Sequence, residues 1–156
     1  GIEGAILQMF SHGVNVVGFF LCYQMIVIRT GTDLIIDLGG IASSAPRFAT
    51  IFLIIVLANV ALPFTNSFVG EFLILLGLFQ SNVYIGVIAG LTIILGAVYM
   101  LKMYQQVMYG PQTIATQKFA DLTTGEILLF VPIIVCIFWV GISPSFVLQL
   151  LQSAVN

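Results

Sequence analysis

Carboxylates are rare in long apolar runs, and this sequence has one. Glu71 follows Leu62-Pro63-Phe64-Thr65-Asn66-Ser67-Phe68-Val69-Gly70 inside a stretch that is otherwise apolar from about Pro46 to Gln80. It lies about ten residues, or roughly 15 Å of helix, from the far end of that stretch. An ionisable group at such depth costs about 2.5–3.5 kcal/mol to place at a bilayer centre, so packing alone does not account for it. With Ser67 as N-cap of a helix that resumes after Pro63, Glu71 falls in the first turn. There the positive end of the helix dipole favours a carboxylate while burial favours the neutral acid. A carboxyl balanced in this way can load and release a proton. The competing reading is that Glu71 only caps its own helix, but a capping box on Ser67 needs the acid at position 70, where Gly70 stands.

His12 is the one histidine, about eight residues or 12 Å into the first apolar stretch. Gln8, Ser11, His12 and Asn15 recur at three- and four-residue spacing and share one helical face. Such a stripe on an apolar helix faces a bundle interior or a file of water. Histidine relays protons near neutral pH, and its depth matches that of Glu71. The alternative for His12 is an interhelical hydrogen bond, worth about 0.6 kcal/mol in a membrane.

Lys102 lies about 27 Å of helix from the start of its own stretch. With Tyr99, Tyr104 and Tyr109 around it like an aromatic belt, it reads as a side chain snorkelling to an interface, or else as a proton entry. Arg29 and Arg47 read as topology anchors, Trp139 as an interfacial anchor, and Glu3, Asp121 and Glu126 as solvated acids at span ends. Cys22 and Cys136 stand alone in apolar runs with no metal or redox spacing. Gly39-Gly40 is a turn signal. No nucleophile–base pair, phosphate loop or metal site is legible, so no cofactor is expected in this chain.

The elements that position these residues follow from composition. Of 156 residues, 60% are hydrophobic and 6% charged, with a mean hydropathy of +1.18. Soluble domains carry about 25% charged residues, and a disordered chain needs still more charge and less hydrophobicity. The net charge of −2 offers no basic footprint for nucleic acid. An all-α polytopic membrane protein remains, with the lipid bilayer as its first partner. Four spans are expected, at about 4–28, 46–80, 83–109 and 125–141. The chain opens Gly-Ile-Glu, with neither Met nor a basic leader, which suggests a piece of a longer chain. Arg29, Arg47, Lys102 and Lys118 all fall on or beside the loops that follow the first and third spans. Those two loops are therefore expected on the cytoplasmic side, with both termini outward.

The second span is too long for one helix: 35 residues would extend about 52 Å against a hydrocarbon core of about 30 Å. Pro63 lacks a backbone donor and clashes with the carbonyl of Asn59. Thr65, Asn66 and Ser67 can satisfy the backbone groups so released. Two half-helices with a break near 63–70 are expected, a device that marks ion and substrate sites in transporters; a simple proline kink is the alternative.

Leu7-Gln8-Met9-Phe10-Ser11-His12-Gly13, then Leu62-Pro63 and Ser67-Phe68-Val69-Gly70-Glu71-Phe72, then Tyr99-Met100-Leu101-Lys102-Met103-Tyr104-Gln105 and Tyr109-Gly110-Pro111 occur in that order. Together they resemble the C-terminal third of the antiporter-like membrane subunits of respiratory complex I, across essentially the whole chain. Glu71, where relatives of the L, N and Mrp types carry lysine, points to the M type. The resemblance implies the last four helices of a fourteen-helix fold, the second of them discontinuous. It further implies Glu71 as the terminal proton site toward the outer side and His12 on the hydrated axis leading to it. L-type and N-type subunits would be neighbours, while NADH, flavin, iron–sulfur clusters and quinone would sit in partner subunits. The expected location is a bacterial cytoplasmic (inner) membrane or an organellar inner membrane. Gln106 stands where an arginine is common and Gly31 where a histidine is, which puts loop contacts in doubt more than the pathway. Two other readings stay open: a cation/proton antiporter or membrane-bound hydrogenase subunit of the same superfamily, and a structural scaffold whose polar residues only join helices.

Overall fold

The computed structural model describes residues 2–149. Every regular element among them is helical: α1 (Ile2–Thr30), α2 (Ile41–Ser44), α3 (Pro46–Asn59), α4 (Asn66–Ser81), α5 (Val83–Met108) and α6 (Thr124–Ile142), with a 3-10 turn at Ile35–Asp37. By length and composition α1, α5 and α6 can each cross a bilayer. The 14 residues of α3 and 16 of α4 reach only about 21 and 24 Å, each short of a hydrocarbon core of about 30 Å.

These two short helices follow one another along α1, antiparallel to it. Gly18 packs on Ile55, Asn15 bonds Ala58 and Ser67, Ser11 meets Asn66, Gln8 meets Glu71, and Gly4 packs on Leu73. As the α1 number falls from 18 to 4, the partner's number rises overall from 55 to 73 across the break. The α3–α4 pair is therefore one discontinuous rod.

The break lies at 60–65, and the helix has resumed by Asn66. Against an expected break near 63–70 with Ser67 as N-cap, α4 starts one residue before that cap, and residues 66–70 are helical. The physical reason is that α3 ends before Pro63 rather than because of it. Leu62 N–H bonds the Leu57 carbonyl at 3.0 Å and Ala61 N–H the Ala58 carbonyl at 3.3 Å, with Ala61 in the left-handed region at φ 53°. This is a Schellman stop, after which a proline commonly follows. The cap of α4 is Thr65, not Ser67.

Phe64 also sits at positive φ, 75°, and α6 holds it there. A Cβ on Gly141 would collide with the Phe64 carbonyl, so only glycine lets α6 come flush against the break. α3 carries the centre of the apolar core: Phe48, Phe52, Ile55 and Val56 are buried with Cys22, Ile41, Met108 and Phe130. Phe52 stands 5.7 Å from Phe19 and 5.6 Å from Tyr104 between ring centroids, and Phe48 5.3 Å from Phe119. Tyr104, expected in an interfacial belt, is 5% exposed and donates to the Ala49 carbonyl at 2.9 Å. Its ring belongs to this core.

The two long loops interlock on one side. Gly40 N–H bonds the Tyr109 carbonyl at 3.1 Å, and Thr113 and Thr116 hydroxyls donate to the carbonyls of Asp37 and Gly39 at 2.6 and 2.7 Å. A Cβ at Gly39 would stand 2.8 Å from the Pro111 carbonyl oxygen, so Gly39-Gly40 is a close-approach site as well as a turn.

Two acids expected to be solvated hold the same side together. Glu126 caps α6 in a capping box with Thr123 and pairs with Arg29 at 2.6 Å, whose guanidinium also lies 5.2 Å over the Phe119 ring. Asp121 accepts from the N–H groups of Phe48 at 3.0 Å and Arg47 at 3.2 Å, satisfying the free N-terminus of α3 from a distant loop. Partial burial pushes the Asp121 carboxyl up. The backbone donors Phe48, Leu122 and Arg47, with the Arg47 charge, outweigh that and hold it below the usual carboxylate range.

Replacing Gly141 with Ala sets a methyl against backbone that cannot yield, and should cost about 1–3 kcal/mol, read as a lower thermal midpoint of the detergent-solubilised protein. Asp121→Ala should cost about 1 kcal/mol through the lost cap. Because the folded carboxyl titrates low, this contribution is complete above the ordinary carboxyl pKa and disappears as pH falls through the lowered one. The difference in thermal midpoint between wild type and Asp121→Ala should therefore be full near neutral pH and close as pH falls below the ordinary carboxylate range.

Candidate functional site

The polar stripe of α1 meets the break. Asn15 Nδ2 donates both to the Ala58 carbonyl at 3.1 Å, near the end of α3, and to Ser67 Oγ at 2.8 Å, in the first turn of α4. Ser11 Oγ donates to the Asn66 carbonyl at 3.2 Å, and Asn66 Nδ2 returns a bond to the Ser11 carbonyl at 3.3 Å. Asn66 Oδ1 accepts from Ser67 N–H, and Thr65 Oγ1 donates to the Leu62 carbonyl at 2.6 Å. Ser11, Asn15, Thr65, Asn66 and Ser67 are all buried. Helix ends at membrane depth have no water to satisfy them; here α1 supplies much of what they need.

One turn along α1 from this cluster, Gln8 Nε2 donates to Glu71 Oε1 at 3.0 Å. Gly70 makes the approach possible, because a Cβ there would stand 2.7 Å from Gln8 Oε1 and 3.0 Å from Gln8 Cα. Since α4 starts at Asn66, Glu71 lies in its second turn and not its first. The dipole effect fades within one turn, so the nearest favourable partner of a Glu71 carboxylate is the Gln8 amide.

His12 and Glu71 line one pocket of about 270 Å³, together with Asn59, Val60, Thr92, Gly96, Tyr99 and Met100. At about 30 Å³ per water this has room for several. His12 is exposed and lies beside the face formed by half-buried Gln8 and buried Ser11 and Asn15 rather than within it. Lys102 is exposed on α5 and does not line the pocket. Pro63 is exposed at the break. Asn59, Thr92 and Tyr99 were not singled out from the sequence. A lone Asn just before the break and a lone Thr within an apolar helix were the available signals, whereas Tyr99 reads as an interfacial ring until α5 is packed. Among the described residues no cluster of His, Cys, Asp or Glu is arranged to hold a metal ion.

A family model described as NADH:quinone oxidoreductase/Mrp antiporter, transmembrane, matches residues 1–96. The whole chain is 44% identical to NADH-ubiquinone oxidoreductase chain 4 of Marchantia polymorpha and 46% identical to NADH-quinone oxidoreductase subunit M of Rickettsia typhi, covering 32% of each. A chain in the structure of respiratory complex I from Thermus thermophilus with bound NADH matches 92% of this chain with a TM-score of 0.87 and 30% identity, over 30% of its own length. The chain thus spans about a third of the length of these relatives. Its apolar spans, broken helix and sequence agree on one assignment: this multi-pass membrane chain belongs to the NADH:quinone oxidoreductase/Mrp antiporter transmembrane family.

Proposed function

We propose that this chain is the C-terminal part of an antiporter-like, M-type subunit of a proton-pumping NADH:quinone oxidoreductase, and that Glu71 is a working proton site within it. The observation that carries this reading is the shared pocket: the half-buried acid and the single histidine, from different helices, open onto one space beside a helix break. Glu71 binds and releases the proton, and His12 passes it along the pocket through water. Gln8, Ser11, Asn15, Asn66 and Ser67 hold the two half-helices in register, Thr65 closes the turn, and Pro63 keeps the helix from resuming early. Lys102 serves at the membrane boundary.

The chain performs no bond chemistry of its own. NADH, flavin, iron–sulfur clusters and quinone belong to partner subunits, whose electron transfer drives the protonation changes here. Neighbours of the L and N types flank it in the membrane, which is the bacterial cytoplasmic (inner) membrane or its organellar counterpart.

The test is proton pumping by sealed vesicles that hold the whole complex with Glu71→Gln, measured beside its NADH oxidation. Loss of a group that must exchange a proton should lower pumping or coupled turnover by about a hundredfold in a complex that still assembles. His12→Gln should slow pumping by less, because water can substitute along the pocket. Wild-type pumping and turnover in Glu71→Gln would make the carboxylate structural and remove the reading.

A further inference from the structure

The Gln8 amide is placed asymmetrically. Its nitrogen donates to Glu71 Oε1 at 3.0 Å, while its oxygen is buried with no partner among the described residues. The amide is wedged against Gly70, where even a Cβ would come within 2.7 Å of Oε1. An ionised carboxylate only accepts hydrogen bonds, so an N–H suits it; a protonated carboxyl offers an O–H and needs an acceptor. The terminal torsion of glutamine is broad and roughly two-fold, and its oxygen and nitrogen are close in size. A half-turn of the amide therefore exchanges donor for acceptor within the same space.

We propose that Gln8 is a positioning residue whose amide turns over with the protonation of Glu71, donating to the carboxylate and accepting from the acid. The proposal rests on the reading of Glu71 as a proton site. No proton passes to Gln8: the new O–H bond stays on Glu71, and only the direction of the hydrogen bond between the two side chains reverses. The amide supports both states of the acid, and the charged one more strongly, since hydrogen bonds to ionised groups are roughly twice as strong. The other titratable side chains lining the space around Glu71 are His12 from α1 and Tyr99 from α5; α6 contributes none to it.

The test uses the complete complex in sealed vesicles, with pumping followed against pH for wild type, Gln8→Met, Glu71→Gln and the double variant. Methionine keeps the bulk of the side chain and removes both polar atoms. Loss of a charge-assisted donor outweighs loss of a neutral acceptor, so the limb of the profile set by Glu71 should move to higher pH by about one unit in Gln8→Met. The double variant should show no such limb. Infrared difference spectra supply a second readout: the carboxyl C=O band of protonated Glu71 should rise in frequency when the Gln8 acceptor is removed. If Gln8→Met does not assemble, Gln8→Asn, which withdraws the amide by one methylene, should give the same two shifts. A profile and band unchanged from wild type in the assembled variant would overturn the proposal. If Glu71→Gln collapses pumping while the Gln8 variant matches wild type, this inference alone fails; if Glu71→Gln pumps normally, the proton-site reading fails first.

Discussion

A helix that stops inside a bilayer leaves carbonyls and amides with no solvent to accept them. Everything near the break answers this constraint. The Schellman bonds from Ala61 and Leu62 use two carbonyls of α3, and the Asn15 amide takes the Ala58 carbonyl while reaching across to Ser67. Between helices in lipid there is little hydrophobic driving force, so side-chain hydrogen bonds and close backbone approach carry the association. The break is stabilised by both: amides and hydroxyls from α1 on one side, and the bare Gly141 of α6 on the other.

The same solution creates the candidate site. Satisfying the break from α1 fixes the register of α1 against α4, and that register brings Gln8 to Glu71 one turn further on. Gly70 removes the side chain that would stand between them. His12, one turn from Gln8 on the same helix, then opens onto the pocket that Glu71 lines with α5. Bonding to the break and access to the pocket thus sit side by side on α1, with Ser11 and Asn15 at the break, Gln8 on Glu71 and His12 at the pocket wall.

Much of this was readable before any coordinates. The apolar stretches, the excessive length around Pro63, the lone acid within an apolar run and the stripe at positions 8, 11, 12 and 15 are local patterns, and local patterns survive in a linear sequence. What was not readable depends on contacts across the chain. Tyr104 looks like a belt residue until α3 presents the Ala49 carbonyl. Asp121 and Glu126 look solvated until α3 and Arg29 arrive. The start of α4 at Asn66 depends on where α3 stops, and a stop in which an alanine takes the left-handed turn position carries little signature.

The fully buried residues of α5 lie only near its two ends. Gly86 is buried near its start, Tyr104, Val107 and Met108 near its finish, and no residue between them. Side chains such as Ile88, Leu91, Ile94, Leu95 and Val98 point away from this chain. Substitutions at those five positions leave the core described here intact and answer instead to whatever adjoins them. Variation there among related sequences would therefore record the history of a neighbour, lipid or protein, rather than of the fold, while variation at Gly86, Tyr104 and Met108 would record the fold itself.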